Sequence, residues 1–277
     1  MEKNKTISVI TPCLNLYKNK RIEYFDKMMR GIHQQTWNNL EHIIIDGAST
    51  DGTLDLLHKY QKRGWISCLV SEKDDGIYSA MNKGVSLSKG AFINIMNTDD
   101  YFIDKKYFKK CMAVLRDNNI DFTHADRLIK SRKNRPDYIK RGDGRVAFFR
   151  MPFRHQTMVV RKTVFDEIGP FDETYKIAAD YKFVLKTLLA DKKGHHFSQT
   201  VLYSLDGGIS SNRRKCVKEV SQVLYECYGK KSSLTLNNCR SIYMGKVSPS
   251  LYSKILLNIK DKKIIKSLTY QYRLLSK

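Results

Sequence analysis

Residues 91–100 read AFINIMNTDD. A mostly apolar run, Phe92 to Met96, delivers two adjacent carboxylates, Asp99 and Asp100. Such a run, bounded by turn formers, predicts a buried strand of a parallel sheet. Open α/β sheets bind ligands beyond the carboxyl ends of their strands, which places the acidic pair at a ligand edge. Two neighbouring carboxylates concentrate negative charge, and their hard oxygens suit Mg²⁺ or Mn²⁺ shared with substrate phosphates. The plainer alternative is that Asp99 and Asp100 cap a following helix.

Working back from this stretch, the pattern repeats. TISVITP (6–12) reads as a first strand ending at Pro12, followed by a helical pattern from Ile22 to Gln35. LEHIIID (40–46) is a second apolar run closing on Asp46, and GASTDGT leads into a short helix, Leu54 to Arg63. ISCLVS (66–71) is a third strand, and Ile77 to Ser88 is helical. This β-α alternation predicts a doubly wound, mostly parallel sheet. Thr11, Asp46, Asp99 and Asp100 then cluster at the strand ends, as a nucleotide site requires. Neither GxGxxG nor GxxxxGK[ST] occurs. Phosphates would therefore be held by metal and side chains rather than by a glycine cradle, unlike dehydrogenases and P-loop NTPases.

Working forward, residues 104–118 read as a helix, IDFTHAD (120–126) as a strand, and 130–145 as a basic loop. That loop is either a solvated segment or a cover over a phosphate-bearing substrate. KIAADYKF places Asp180 near a helix N-terminus, where the helix dipole favours the ionised form that a general base needs. HHFSQTVLYSLDGGISS reads as a strand and a Gly-Gly turn, and Cys216 to Tyr228 as a helix. Residues 249–277 set seven Lys and Arg, with the single acid Asp261, beside an apolar stripe. One or two amphipathic helices are expected there, lying on an anionic bilayer or packing on the domain or on a second subunit of a homo-oligomer.

The chain has 277 residues, 42% of them hydrophobic, and a formal net charge of +22. Its length and apolar content support one large α/β domain, residues 1–212, with a helical basic extension, 213–277. The excess charge implies an anionic partner: nucleic acid, an acidic membrane or a phosphorylated substrate. No 18-residue apolar stretch is present, the N-terminus lacks a secretory signal's apolar centre, and the six cysteines form no CxxC pair. A reducing, cytoplasmic setting is expected.

Four segments together resemble one family. SVITPCLN, IIIDGASTDGT, EKDDGIYSAMNKGVSLSKGAFINIMNTDD and HQTMVVRKTVFDEIGPFDETYKIAADYKF are similar, in this order, to the family 2 glycosyltransferases. The likeness spans about residues 5–210, and GIYSAMNKG with FxHQ is most like transferases of bacterial surface polysaccharides such as capsule and O-antigen. It implies a GT-A fold and an inverting, metal-dependent transfer from a nucleotide-diphospho-sugar, with UDP the expected nucleotide. The acceptor it implies is a glycan, on a polyprenyl pyrophosphate if the basic tail serves it, at the inner face of the cytoplasmic membrane. Thr11, Pro12, Asp46, Asp74, Lys83 and Asp99 would then contact the donor, Asp100 with Asp99 would hold Mn²⁺ or Mg²⁺, Asp180 would be the base, and His155 would line the acceptor side. Two positions depart from the family pattern: Asn97, where a first Asp often opens the DxD motif, and Ser79, where close relatives often have Asp.

Three rivals are weighed on the same residues. A nucleic-acid-binding protein would interleave aromatics with Arg or carry a recognisable module, and neither is evident. A nucleotidyltransferase would want a glycine-rich loop after the first strand, which TPCLNLYKNK lacks. A non-catalytic scaffold would not need Asp46, Asp100 and Asp180 together.

Overall fold

The computed structural model describes residues 5–131, 136–205 and 212–275. The expected Gly-Gly turn at 207–208 and part of the basic loop, 132–135, lie outside the described residues. Strand β1 (Ile7–Cys13) runs between β2 (Leu40–Asp46) and β4 (Phe92–Ile95), with β3 (Cys68–Ser71) beyond β2, all four parallel. Helices α1 (Ile22–His33), α2 (Thr53–Lys62) and α3 (Ile77–Leu87) make the crossovers. The expected α/β architecture is present, and the first strand runs through Pro12 to Cys13 rather than stopping at it. The reason is local. Pairing of β1 with β4 ends at Ile10 and Ile95, so the missing Pro12 donor faces a side with no ladder left to break.

Beyond Asp100 the sheet turns mixed. β8 (Val159–Arg161) lies antiparallel to β4, β6 (Phe122–Lys130) antiparallel to β8, β9 (Gly194–Leu205) parallel to β6, and β5 (Asp100–Phe102) antiparallel to β9. A short β7 (Tyr138–Lys140) pairs β6. Among the described residues the sheet has nine strands. Helix α4 (Tyr107–Val114) is shorter than the predicted 104–118, and β6 runs four residues beyond the predicted strand because its pairing with β9 reaches Lys130 and Leu205. Helices α5 (Lys162–Ile168) and α6 (Ala179–Leu189) complete this half.

Period-two alternation divides the strands between two cores. Ile7, Val9 and Ile44 face α1 and α4, while Ile10, Ile43 and Ile45 face α3 and α6. Full burial of each such side chain is worth about 1.5–3 kcal/mol against exposure. The α3 face demands a close approach: a Cβ on Gly84 would stand 2.2 Å from Ile10 Cγ2. Only glycine fits there.

The C-terminal segment forms α7 (Arg213–Leu224), a π-helical turn (Tyr225–Gly229), α8 (Leu236–Tyr243), α9 (Pro249–Asn258) and α10 (Lys262–Leu275). Leu224, Ile242, Ile255, Ile264 and Leu268 are buried in the same core as Ile10 and Ile43. Most of the stripe considered for lipid therefore packs on the domain, leaving Leu256, Leu257 and Leu274 exposed. No helix among the described residues is long and apolar enough to cross a membrane.

Candidate active site

The carboxyl edge of β1, β2 and β4 is laced by the DGASTDGT segment. Asp46, buried at the end of β2, accepts from Ser71 Oγ at 2.7 Å, from the Ser49 amide at 3.0 Å, and from Ser49 Oγ. Asp51 accepts from the amides of Lys18 at 2.8 Å and Thr53 at 3.1 Å. Ser49 and Thr53 accept in turn from the amides of Asn15 and Leu16. Gly52, at φ +88°, supplies the left-handed turn that starts α2. These side chains tie the loop after β1 to the loop after β2 and leave that edge preformed.

Across the edge, the turn from Asn97 to Asp100 delivers the acidic pair. Asp99 pairs with Arg21, at the start of α1. Asp100 is 1% exposed, with Arg154 Nη2 3.7 Å from Oδ2. Burial pushes the Asp100 carboxyl up to about 6, against the pull of Arg154 and with the push of Asp99. Asp100 Oδ2 and Asn97 Oδ1 are buried and lack hydrogen-bond partners among the described residues. Buried oxygens without donors are what a hard cation takes up, so these residues fit Mn²⁺ or Mg²⁺. No three His, Cys, Asp or Glu side chains converge on one point among the described residues. A cation here would draw most of its ligands from substrate and water.

On the facing side, Asp180 stands in the first turn of α6. Its Oδ2 lies 2.8 Å from His155 Nδ1, and its Oδ1 accepts from the Tyr181 amide at 2.8 Å and from the Tyr78 hydroxyl at 3.3 Å. Burial works to raise the Asp180 carboxyl. The bond and charge of His155, with Arg154 and the Tyr181 amide, outweigh it and carry the group below the ordinary carboxylate value. Asp180 is therefore ionised at neutral pH. Tyr78 is held protonated, first by burial and then by the Asp180 charge. His155 Nε2 is buried without a partner among the described residues.

The segment that enters α6 is braced from two sides. Tyr78 donates to the Ile177 carbonyl at 2.7 Å. Glu219, on α7, accepts from the amides of Lys176, Ile177 and Ala178 at 3.2, 2.8 and 3.0 Å. A carboxylate from another helix thus satisfies amides just ahead of α6, where the helix dipole favours it.

Two cavities meet at Asp180. The smaller, about 150 Å³, is lined by Pro12, Arg21, Tyr78, Asn97, Asp99, His155 and Lys176 among others. The larger, about 570 Å³, opens toward β6, β7 and the C-terminal helices. Arg154, Ile177 and Asp180 line both.

Of the residues singled out in the sequence, Pro12, Asp99, His155 and Asp180 converge on the smaller cavity. Asp100 lies directly behind Asp99, beside Arg154. The others do not reach that wall. Thr11 Oγ1 points into the core, 3.1 Å from His42 Nε2 and 3.8 Å from Met28 Sδ. The strand alternation that buries Val9 buries Thr11 with it. Asp74 pairs with Lys83 at 2.7 Å, and Lys83 also pairs with Glu72 at 2.6 Å. Sequence reasoning missed Arg21, Tyr78, Arg154, Lys176 and Glu219. The signal for three of them was within the quoted motifs, as the x of FxHQ, the Tyr of GIYSAMNKG and the first Lys of KIAADYKF.

Comparison with solved structures fixes the fold. The chain superimposes on S. aureus TarS in complex with UDP-GlcNAc at a TM-score of 0.62, with 18% identity, over 97% of this chain and 92% of that one. It superimposes on a mannosyltransferase from Pyrobaculum calidifontis, in complex with GDP-Man and Mn²⁺, at 0.64, with 14% identity, over 100% and 76%. The architecture is that of a GT-A glycosyltransferase. The Glycosyl transferase family 2 model matches residues 8–180, and the chain belongs to that family. A PGL/p-HBAD biosynthesis glycosyltransferase of Mycobacterium tuberculosis is 26% identical over 212 residues, covering 74% of this chain and 78% of the relative.

Proposed function

We propose that the protein transfers a sugar from a nucleotide-diphospho-sugar, with UDP the expected nucleotide, to a hydroxyl of a glycan acceptor in bacterial surface polysaccharide biosynthesis, with inversion at the anomeric carbon. The observation that carries this is Asp180: an ionised carboxylate on the wall shared by two cavities, oriented by His155 and Tyr78. The UDP-GlcNAc and GDP-Man held by its structural neighbours support the donor class.

The donor occupies the carboxyl edge, with its diphosphate toward Arg21 and Lys176 in the smaller cavity. Both are cations able to make charge-assisted bonds to phosphate oxygens. The acceptor hydroxyl approaches Asp180 from the larger cavity. Asp180 takes its proton as the oxygen attacks the anomeric carbon from the face opposite the leaving group. The new glycosidic C–O bond forms, the bond from the anomeric carbon to the diphosphate oxygen breaks, and the nucleoside diphosphate departs. His155 holds Asp180 in place, and the preformed loops limit the motion needed to reach this geometry. A divalent cation bound by Asp100 with the diphosphate would supply charge neutralisation of the leaving group.

The test is thermal stabilisation of the purified protein by UDP, GDP, CDP and dTDP, each with and without Mn²⁺. A metal-dependent rise in Tm with one nucleotide, lost in Asp100→Ala, is expected. No rise with any of them overturns the proposal. The anomeric configuration of the product, read by proton NMR, checks inversion.

A further inference from the structure

The larger cavity has a wall chemistry that transfer to a neutral sugar hydroxyl does not require. Six cations line it: Arg127, Lys140, Arg141, Arg150, Arg154 and Arg213. Among the described residues Asp180 is the one acid on that wall. Like charges gathered around one hollow raise its potential and are a cost to the fold unless an anion sits among them. Among the described residues, Arg141, Arg150 and Arg213 make no ion pair with any carboxylate.

The cations come from separate parts of the chain. Arg127 is on β6, Lys140 and Arg141 are on and just after β7, Arg150 and Arg154 flank Phe153, and Arg213 opens α7. Guanidinium dominates, five to one, and its planar fork matches the paired oxygens of a phosphate or carboxylate. The C-terminal helices, which carry Arg213, add an apolar wall of Val217, Tyr243 and Leu274. Gln271 on the same wall is 3% exposed, and its Oε1 has no partner among the described residues.

We infer that this cavity binds an anionic group of the acceptor, a phosphate or carboxylate held by the arginines while the acceptor hydroxyl rests at Asp180. The inference builds on the proposed transfer and adds the acceptor's chemical class. That class has two sources: the phosphate of a lipid carrier, which the apolar wall would also suit, and acidic units within the glycan chain itself.

The test uses the full chain, farnesyl phosphate as the lipid-phosphate probe and tetragalacturonate as the acidic-glycan probe. Binding is measured by calorimetry in metal-free buffer, for the native chain, the double variant Arg150→Ala/Arg213→Ala and the single variant Arg141→Ala. All three arginines are exposed, so their removal leaves the core intact, and circular dichroism verifies folding. One probe is expected to bind, with Kd weakened roughly tenfold or more in the double variant, as loss of charge-assisted bonds predicts. Binding should also weaken as salt rises. Farnesyl phosphate alone assigns the lipid carrier, and tetragalacturonate alone assigns the glycan chain. Binding of neither probe, or binding of equal strength in native and variant chains, overturns the inference. A parallel UDP–Mn²⁺ titration keeps the two readings apart. If that titration fails while a probe binds, the donor assignment falls and the anion cavity stands.

Discussion

The two cavities that share Asp180 are built in opposite ways. The smaller interleaves its charges: Arg21 pairs with Asp99, Arg154 stands beside Asp100, and Lys176 and Asp180 lie on the same lining. The larger gathers six cations on a lining whose one acid, among the described residues, is Asp180. In one, cations and carboxylates alternate around the space proposed for a charged ligand with its counterion. The other holds Arg141, Arg150 and Arg213, which make no ion pair with a carboxylate among the described residues, and it is the one inferred to take an anion. The proposed base stands at the boundary, and its carboxyl is depressed, against burial, by His155 first and then by Arg154, the cation the two cavities share.

The sharpest way to break this division is Asp180→Asn. Turnover should fall by about 10²–10⁴-fold, the usual contribution of a positioned base. The UDP–Mn²⁺ rise in Tm should survive, since Asp180 is assigned to the acceptor's proton and not to the nucleotide. Loss of both would place Asp180 in the donor site.

Next in size is Asp100→Asn in the metal-free protein. An Asp titrates near 3.8 when unperturbed and near 6 at this buried position, so the native state holds its proton more tightly than the unfolded chain does. The stability this gives is complete below the unfolded value and lost as pH rises through about 6. At pH 7.5 the fold carries an ionised buried carboxylate at a cost of up to about 3 kcal/mol. The Asn variant should therefore melt higher than the native chain at pH 7.5, with the gain vanishing toward pH 4, while losing the Mn²⁺-dependent response. A lower melting temperature at pH 7.5 would show that the attraction of Arg154 outweighs burial.

A smaller effect is expected from Glu219→Gln, which keeps an acceptor but removes the charge facing the Lys176, Ile177 and Ala178 amides. Turnover should drop roughly tenfold through loss of Asp180 positioning, with nucleotide binding unchanged. An Asp substitution, too short to reach, should not rescue it. Smallest is Tyr78→Phe, which removes a bond to the Ile177 carbonyl and a long one to Asp180. A loss of about 1 kcal/mol, or roughly fivefold in turnover, is expected. Steady-state kinetics checks both.

What the sequence disclosed follows the same divide. The donor edge is written in contiguous stretches, because a parallel strand and the loop after it are neighbours in the chain. AFINIMNTDD and DGASTDGT could therefore be read for strand, turn and charge together. Thr11 was read toward the ligand, whereas its hydroxyl turns to His42 and Met28, because side chains near a strand's end still alternate. The larger cavity has no local signature. Arg127, Arg150 and Arg213 are dispersed in sequence and meet only once β6, the turn after Asp143 and α7 are packed. The amphipathic stripe of the tail was legible, but its partner was not, since a face suited to a bilayer is equally suited to a protein core.

Arg154 lines both hollows and stands beside Asp100. A guanidinium held in common would link the two proposed substrates thermodynamically. If the diphosphate draws Arg154 toward the donor side, the acceptor's anion finds one cation fewer; if the anion claims it first, Asp100 is released from its nearest counter-charge. Whatever the sign of that coupling, it is the same seen from either substrate. The enzyme's preferred order of binding, and the ease with which spent nucleotide leaves a newly lengthened chain, would then rest on the loyalty of a single side chain.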